Sequence, residues 1–206
     1  MAPGSAPFRA RVSREEERAS KREALLVTAV RMFNANGFHA TSLDDVATAL
    51  RVSKPTIYYY LGNKEQVLLE CLERGLLQLR AAVETVNSRL GTGLERLRAV
   101  LLRYGEVIMG EFGRCVIRTG DEELSPEGLA RFKQMKKLID LELRALICKG
   151  MADGSIVKGD EKMTAFTIAG ALNWPARWAD ATQNEDARTI VTGLVDILTF
   201  GLIPRH

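Results

Sequence analysis

The sequence lacks the features by which membrane, exported and β-sheet proteins are recognised. It contains no run of about 18 apolar residues, which argues against a membrane-spanning helix. Its N-terminal segment has no hydrophobic core of the signal-peptide type, so we expect a cytoplasmic protein. No stretch sustains the alternation of apolar and polar residues that is typical of strands, and the chain is therefore predicted to be all-α.

Metal ligands and catalytic groups are also scarce. The chain has three cysteines and two histidines, and the widely spaced Cys71, Cys115 and Cys148 match no zinc pattern. We therefore expect no metal and no cofactor, and buried thiols in preference to a redox sensor. The acidic residues at 121–123 indicate a solvated loop, and no convergent set of acid, base and nucleophile is recognisable, which argues against an enzyme.

Residues 41–64, TSLDDVATALRVSKPTIYYYLGNK, predict two short helices joined by a tight turn. Thr41 or Ser42 can cap the first helix, and an aspartate three residues after Ser42 completes a variant of the capping box. Ser53 caps the second helix, whose first turn contains Pro55 at a position that needs no N–H donor. The other side chains of the second helix are mostly polar or aromatic, which suits contacts with phosphates and base edges of DNA. Tyrosines that pack half-buried on a short helix are the alternative interpretation.

The flanking segments extend this motif to four helices. Residues 20–38 carry apolar side chains at helical spacing and end on an Asn-Gly stop, and Asn63 with Gln66 forms a capping box at the start of a long helix. Residues 1–64 contain 10 Lys and Arg against 6 Asp and Glu, whereas the other 142 residues contain 19 against 20. The positive charge therefore lies in the part that suits DNA.

The stretch from Lys21 to Leu69 resembles the DNA-binding domain of TetR-family repressors. The residues that carry the resemblance are the core Ala29-Val30-x-x-Phe33 with Gly37, the cap Thr41-Ser42, Val46-Ala47, Val52-Ser53, Ile57-Tyr58-x-Tyr60 and Lys64-Glu65. The sequence departs from the family at Arg51, where glycine is usual. A non-glycine residue at positive φ costs on the order of 1 kcal/mol.

The resemblance implies about nine helices arranged in three parts. Residues 1–19 would be a disordered basic lead, residues 20–66 a helix-turn-helix DNA-binding domain, and residues 67–206 a ligand-binding and dimerisation domain. It also implies a homodimer that binds a palindromic operator in double-stranded DNA and has no membrane-bound part. The basic lead either contacts phosphates or the minor groove, or is a solvated tail.

The resemblance also assigns roles on the DNA side, residue by residue. Base contacts are implied for four residues of the second helix: Lys54, Pro55, Thr56 and Tyr59. Lys54 is the best candidate for a guanine contact, and Pro55 or Tyr59 could pack on a thymine methyl group. Phosphate contacts are implied for five residues: Thr41, Ser42, Tyr58, Tyr60 and Lys64.

The last two predicted helices, at about 160–180 and 185–201, are apolar on more than one face. One face would pack on its own subunit and the other on a partner; the alternative is two central helices of a monomer. The resemblance favours a dimer formed through a four-helix bundle. The expected interface residues are Gly170, Ala171, Val191, Leu194, Val195 and Leu198.

Bulky and polar side chains between residues 94 and 180 suggest a cavity for a small hydrophobic effector. The predicted lining consists of Tyr104, Ile108, Met109, Phe112, Arg118, Met135, Trp174, Arg177 and Trp178. The segment GALNWPARW, residues 170–178, resembles regulators of fatty-acid or steroid breakdown that sense acyl-CoA thioesters. This implies an acyl-CoA or another hydrophobic carboxylic derivative; the alternative is that these side chains fill a core.

The predicted function is therefore ligand-responsive regulation of transcription. The resemblance favours a repressor that an effector releases from DNA, and an activator is the open alternative. The competing interpretation is a helical interaction protein that kept the fold and lost specific DNA binding. Operator-specific DNA binding would distinguish the two.

Overall fold

The computed structural model describes residues 13–87, 90–178 and 186–201, and all regular elements in these ranges are helices. This confirms the all-α prediction. In chain order the helices are α1 (Arg14–Asn36), α2 (Leu43–Ala49), α3 (Lys54–Leu61), α4 (Lys64–Asn87), α5 (Gly93–Met109), α6 (Glu111–Arg118), α7 (Pro126–Ala152), α8 (Glu161–Asn173), α9 (Pro175–Trp178) and α10 (Ala187–Phe200). A 3-10 turn at Asp121–Glu123 lies between α6 and α7.

The helix boundaries are close to those predicted, and the difference in number has a local cause. Pro175 divides the helix that was expected over 160–180 into α8 and α9, because proline has no N–H to donate and its ring collides with the preceding turn. No helix within the described ranges combines the length and the apolar character needed to cross a membrane.

The first helix begins earlier than predicted. Ser13 caps α1, since its hydroxyl accepts from the Glu16 N–H at 3.2 Å while the Glu16 carboxylate accepts from the Ser13 N–H at 2.7 Å. Residues 14–19 are consequently helical, and their assignment to a disordered lead was wrong. The rest of that predicted lead, residues 1–12, lies outside the described residues.

The caps around the helix-turn-helix motif are those predicted. Ser42 and Asp45 form a reciprocal capping box at α2, and the Ser53 hydroxyl accepts from the backbone N–H of Thr56 in α3. Asn63 and Gln66 exchange hydrogen bonds of 3.0 and 2.8 Å at the start of α4. These side chains satisfy N–H groups that a helix leaves free at its first turn, and so fix where each helix starts.

Two hydrophobic cores meet along α4. The first contains apolar residues of α1, α2 and α3 together with residues of α4, α6 and α7, and Leu68 and Leu72 belong to it. The second lies among α4, α5, α7, α8 and α10 and includes Leu79 and Val83. The domain boundary predicted between residues 66 and 67 falls in the first turn of α4. The first core therefore runs across that boundary.

The last helix packs on α5 of its own chain. Val191 and Val195 are 2% and 0% exposed, and a Cβ added at Gly105 would lie 2.3 Å from Val191 Cγ1. Only glycine at position 105 allows this approach. The expectation that Val191 and Val195 form an intersubunit contact was therefore wrong. Leu194 and Leu198 are only partly buried, and their place in such a contact stays a prediction.

The cysteines divide between core and surface. Cys71 on α4 and Cys115 on α6 are buried as expected, but Cys148 on α7 is exposed. A hydrogen bond with Cys115 and burial raise the pKa of Cys71. A buried thiol that stays protonated is a poor nucleophile, which agrees with a structural role for Cys71.

The turn between α2 and α3 contains Arg51 with a φ of 53°, in the left-handed region. The turn is closed by backbone hydrogen bonds from Arg51 N to Thr48 O at 3.1 Å and from Val52 N to Ala47 O at 3.0 Å. These bonds require the backbone conformation that glycine adopts without strain.

Replacing Arg51 by glycine should stabilise the protein. Relief of left-handed strain is worth about 1–2 kcal/mol, and the greater entropy of unfolded glycine costs about 0.5–1 kcal/mol. We expect the free energy of unfolding of Arg51→Gly, measured by urea denaturation, to rise by about 0.5–1 kcal/mol. The control variant Glu84→Gly changes an exposed helical position of α4. Its free energy of unfolding should fall by about 1 kcal/mol. A loss of stability in Arg51→Gly would contradict the account of the turn.

Candidate nucleic-acid interface and cavity

Helix α3 buries a few apolar side chains and exposes a polar and aromatic surface. Ile57 and Leu61 are 0% and 4% exposed and hold the helix against the first core. Of the four predicted base contacts, Lys54 and Pro55 are exposed, Tyr59 is 66% exposed and Thr56 is partly buried. The Thr56 side chain also shares a hydrogen bond of 2.7 Å with Ser53 at the cap. The surface free for contact therefore consists mainly of the other three side chains.

Lys54 forms an ion pair with the neighbouring Asp44. Lys54 Nζ donates to Asp44 Oδ2 at 2.6 Å, and this hydrogen bond raises the pKa of Lys54. The side chains are 68% and 36% exposed, so the pair lies at the surface. Sequence reasoning did not identify Asp44 as part of this site, although it lies ten residues before Lys54 in the same motif.

Three of the five predicted phosphate contacts lie together. A groove of about 360 Å³ is lined by Ser42, Tyr58 and Lys64, among others. Tyr58 is 47% exposed, and the Lys64 ammonium lies 4.5 Å from the centroid of the Phe38 ring. Lys64 is also the first residue of α4, where free N–H groups attract an anion.

The remaining two predicted phosphate contacts, Thr41 and Tyr60, are less exposed than expected. Thr41 is 2% exposed and its hydroxyl donates to the Gly37 carbonyl at 3.0 Å. Thr41 cannot reach a phosphate, and its assignment was wrong: it closes the turn before α2. Tyr60 is partly buried, with its ring 5.2 Å from that of Tyr59 and near the Lys21 ammonium.

A cavity of about 650 Å³ lies in the C-terminal half. Its size falls within the range of small-molecule sites. Four of the predicted lining residues contribute to it: Tyr104, Ile108, Trp174 and Arg177. Five others do not, namely Met109, Phe112, Arg118, Met135 and Trp178.

These five side chains have other surroundings. Met109 and Met135 are buried in the two cores, and Phe112 packs beneath the guanidinium of Arg74 at 4.7 Å. Arg118 donates to the backbone carbonyls of Ala176 at 2.7 Å and Asn34 at 3.1 Å. Trp178 is 47% exposed outside the cavity lining. Arg118 thus joins α9 to the end of α1 in place of contacting a ligand.

The cavity has an apolar body with a few polar groups. Deep in it, the Tyr104 hydroxyl donates to Asn173 Oδ1 at 2.8 Å, and burial raises the pKa of Tyr104 to about 12. Lysines of α7 contribute cationic groups to the lining: Lys133, Lys136 and Lys137. Sequence reasoning missed them, although their spacing of three and four residues places them on one helical face with Asp140.

Apolar side chains are exposed on the outer sides of α8 and α10. Met163 on α8 and Ile197 on α10 are 58% and 52% exposed, and Trp174, the residue that follows α8 and also lines the cavity, is 63% exposed. Of the predicted interface residues on α8, Ala171 is partly buried, while Gly170 is exposed and also lines the cavity. We call this set of exposed side chains on α8 and α10 the outer face.

No group of three or more His, Cys, Asp or Glu side chains suited to a metal ion occurs within the residues that the structure describes.

Two family models match the chain. The model described as "Bacterial regulatory proteins, tetR family" matches residues 25–71, which hold the helix-turn-helix motif. The model described as "Tetracyclin repressor-like, C-terminal domain" matches residues 90–202, which contain the outer face and all of the cavity lining except Leu72.

Two characterised relatives extend over most of the chain. One is the "Fatty acid metabolism regulator protein" of Bacillus subtilis (strain 168), 21% identical over 192 residues, which cover 91% of this chain and 98% of that protein. The other is the "HTH-type transcriptional activator FasR" of Mycolicibacterium smegmatis (strain ATCC 700084 / mc(2)155), 28% identical over 187 residues, which cover 90% of this chain and 84% of that protein.

Two solved structures share the fold. The TetR-family regulator PfmR from Thermus thermophilus superposes with a TM-score of 0.77 at 26% identity, covering 87% of this chain and 99% of that one. AibR in complex with isovaleryl coenzyme A and operator DNA superposes with a TM-score of 0.73 at 24% identity, covering 87% and 98%.

These matches also confirm that the chain is not an enzyme, because the family consists of transcriptional regulators. The capped helix-turn-helix, the cavity behind it and the two family models that cover them together show that this chain belongs to the TetR family of transcriptional regulators.

Proposed function

We propose that the protein is a repressor that binds a palindromic operator as a homodimer and is released from DNA by a hydrophobic acyl-CoA. The observation that carries the ligand response is a shared set of side chains. Leu72, Val116 and Phe132 line the cavity and also belong to the core that seats α1, α2 and α3. A ligand in the cavity therefore touches the packing that orients the DNA-binding helices.

The α3 surface supports operator binding. Lys54, Pro55 and Tyr59 project from a helix whose anchor is buried, while Tyr58 and Lys64 line the neighbouring groove. This division supplies base contacts from the helix and phosphate contacts from its flank, as groove-reading helices require.

The outer face supports pairing of two chains. It exposes large apolar side chains on α8 and α10, while the opposite sides of both helices are buried in the second core. Burial of such a face against its copy would remove apolar surface from water. A two-fold dimer also presents two recognition helices to two half-sites, which a single module lacks.

The cavity lining supports an amphipathic anionic effector. Its body is apolar, and Lys133 and Lys137 on α7 with Arg177 on α9 add positive charge. An acyl-CoA has an apolar chain and a phosphorylated head, which fit these two parts. The relatives include a fatty acid metabolism regulator, and AibR, which shares the fold, was crystallised with isovaleryl coenzyme A.

Hydrogen bonds connect the C-terminal helices to the DNA-binding helices. Arg118 connects α9 to Asn34 at the end of α1. Glu65 in the first turn of α4 accepts hydrogen bonds from Ser125, the cap of α7, at 2.7 and 3.1 Å. We propose that the ligand favours a conformation in which α7 and α9 shift α4 and α1, and with them the spacing of the two recognition helices.

Lys54→Ala and Lys64→Ala should differ in their effect on DNA binding. With an operator obtained by selection from random duplexes, Lys54→Ala should weaken specific binding by about 5- to 150-fold and relax one base position. Lys64→Ala should weaken binding to all sequences and reduce the salt dependence by about one ion. Fluorescence anisotropy with specific and random duplexes measures both; loss of non-specific affinity alone in both variants would refute the base contact.

Long-chain acyl-CoA should weaken operator binding on the order of 100-fold, which requires about 2.7 kcal/mol of differential affinity. Free coenzyme A and the free fatty acid should have smaller effects, because each lacks one part of the ligand. The variant Lys133→Ala/Lys137→Ala should respond less than wild type, and Lys158→Ala, an exposed lysine outside the cavity, should respond normally. Unchanged operator affinity at saturating acyl-CoA would reject this ligand class.

Ile197→Glu on the outer face should yield a monomer with unchanged helical content and greatly reduced operator affinity, because a charge would be buried between the two chains. Sedimentation equilibrium and circular dichroism measure these properties. Leu77→Glu is the matched control, since Leu77 is an equally apolar, 66% exposed residue of α4, and it should stay dimeric. A dimeric Ile197→Glu variant would place the contact elsewhere.

A further inference from the structure

An aspartate stands beside the proposed guanine contact. Asp44 is the second residue of α2, and its Oδ2 accepts a hydrogen bond from Lys54 Nζ at 2.6 Å. The other oxygen, Oδ1, is enclosed and has no hydrogen-bond partner. Asp44 and Lys54 therefore form one surface pair, in which a single carboxylate oxygen holds the ammonium group.

A carboxylate on this surface opposes DNA binding, because phosphates repel it. Asp45, next in the chain, has a structural reason to be acidic, since it completes the capping box with Ser42. Within the described residues, the carboxylate of Asp44 makes no hydrogen bond other than the one with Lys54. Lys54 and the first turn of α2 offset the charge of Asp44 in the free protein, and on DNA a hydrogen-bond donor of a base would offset its repulsion by phosphates.

A cytosine–guanine base pair is complementary to this pair of side chains. In the major groove cytosine presents the N4 amino group as a donor, and guanine presents O6 and N7 as acceptors. N4 and O6 are joined by a base-pair hydrogen bond and lie about 3 Å apart. The carboxylate oxygen of Asp44 and the ammonium nitrogen of Lys54 lie 2.6 Å apart, with donor and acceptor reversed.

We propose that Asp44 and Lys54 read one cytosine–guanine pair together, with Lys54 Nζ donating to guanine O6 or N7 and Asp44 Oδ2 accepting from cytosine N4. The inference rests on the proposed operator binding. On the DNA the two side chains exchange their mutual hydrogen bond for two with the base pair, so neither charge is left without a partner.

This arrangement makes Asp44 a specificity-determining residue. The reversed pair, guanine–cytosine, would place guanine O6 against the carboxylate, and a thymine–adenine pair would place thymine O4 there, so in both cases two acceptors would face each other. An adenine–thymine pair keeps a donor for Asp44 and an acceptor, O4, for Lys54, but it has a methyl group where guanine has the second acceptor N7. Asp44 therefore excludes guanine and thymine at the cytosine position, and Lys54 favours guanine over thymine through N7.

The test compares wild type, Asp44→Ala and Glu127→Ala by selection from random duplexes. Glu127 is the matched control because it is also an exposed acid at the second position of a helix, in α7. Wild type and Glu127→Ala should enrich one oriented cytosine–guanine position in each half-site. Reversing that pair should weaken wild-type binding about 5- to 100-fold, and Asp44→Ala should lose most of this discrimination.

A single-atom substitution on the DNA tests the contact directly. The cytosine is replaced by 2-pyrimidinone, which lacks the N4 amino group, with the same analogue outside the operator as control. Wild type should lose about tenfold in affinity, whereas Asp44→Ala should bind both duplexes alike. Asp44→Leu, of similar size and without an acceptor atom, replaces the alanine variant if circular dichroism shows that the latter unfolds.

Two results would overturn the inference: an unchanged consensus for Asp44→Ala, or an equal loss with the analogue in variant and wild type. Either would leave operator binding intact. Failure of wild type to enrich any sequence would instead refute the proposed function, and this inference with it.

Discussion

The packing of α4 against two cores is the constraint on which the rest of the structure depends. Leu68 and Leu72 fix the first half of the helix to α1, α2 and α3, and Leu79 and Val83 fix the second half to α5, α7 and α8. Close-packed cores transmit displacement because they contain few voids in which it can be absorbed. Leu72 lines the cavity and also belongs to the first core, so the cavity and the helices α1, α2 and α3 share packed side chains.

The DNA-binding half could be predicted well from sequence because its determinants are local. Capping by Ser42, Ser53 and Asn63 depends on residues three positions apart, and the left-handed conformation of Arg51 follows from a short turn. The errors concern the placement of side chains. The Thr41 hydroxyl donates to the Gly37 carbonyl four residues earlier and does not face solvent, and the pairing of Asp44 with Lys54 depends on how α2 packs against α3.

The C-terminal half was less predictable because apolar periodicity does not say which partner covers each face. Val191 and Val195 were expected at an intersubunit contact, but Gly105 lets α10 approach α5 of the same chain. Bulky side chains were expected to line the cavity, yet Met135 fills a core and Arg118 joins α9 to α1. The lysines of α7 were missed because a charged helical face is usually only solvated; their position at the cavity depends on the packing of α7 against α8.

The most direct test of the account is selection of bound sequences from a random pool of duplexes, followed by affinity measurements at two salt concentrations. The account predicts an enriched palindrome with half-site centres about 34 Å or a multiple of it apart, bound with a Kd of about 10⁻⁸ M or tighter. Weak binding with a steep salt dependence and no consensus would show that only phosphates are contacted. That result would contradict specific operator recognition by α3.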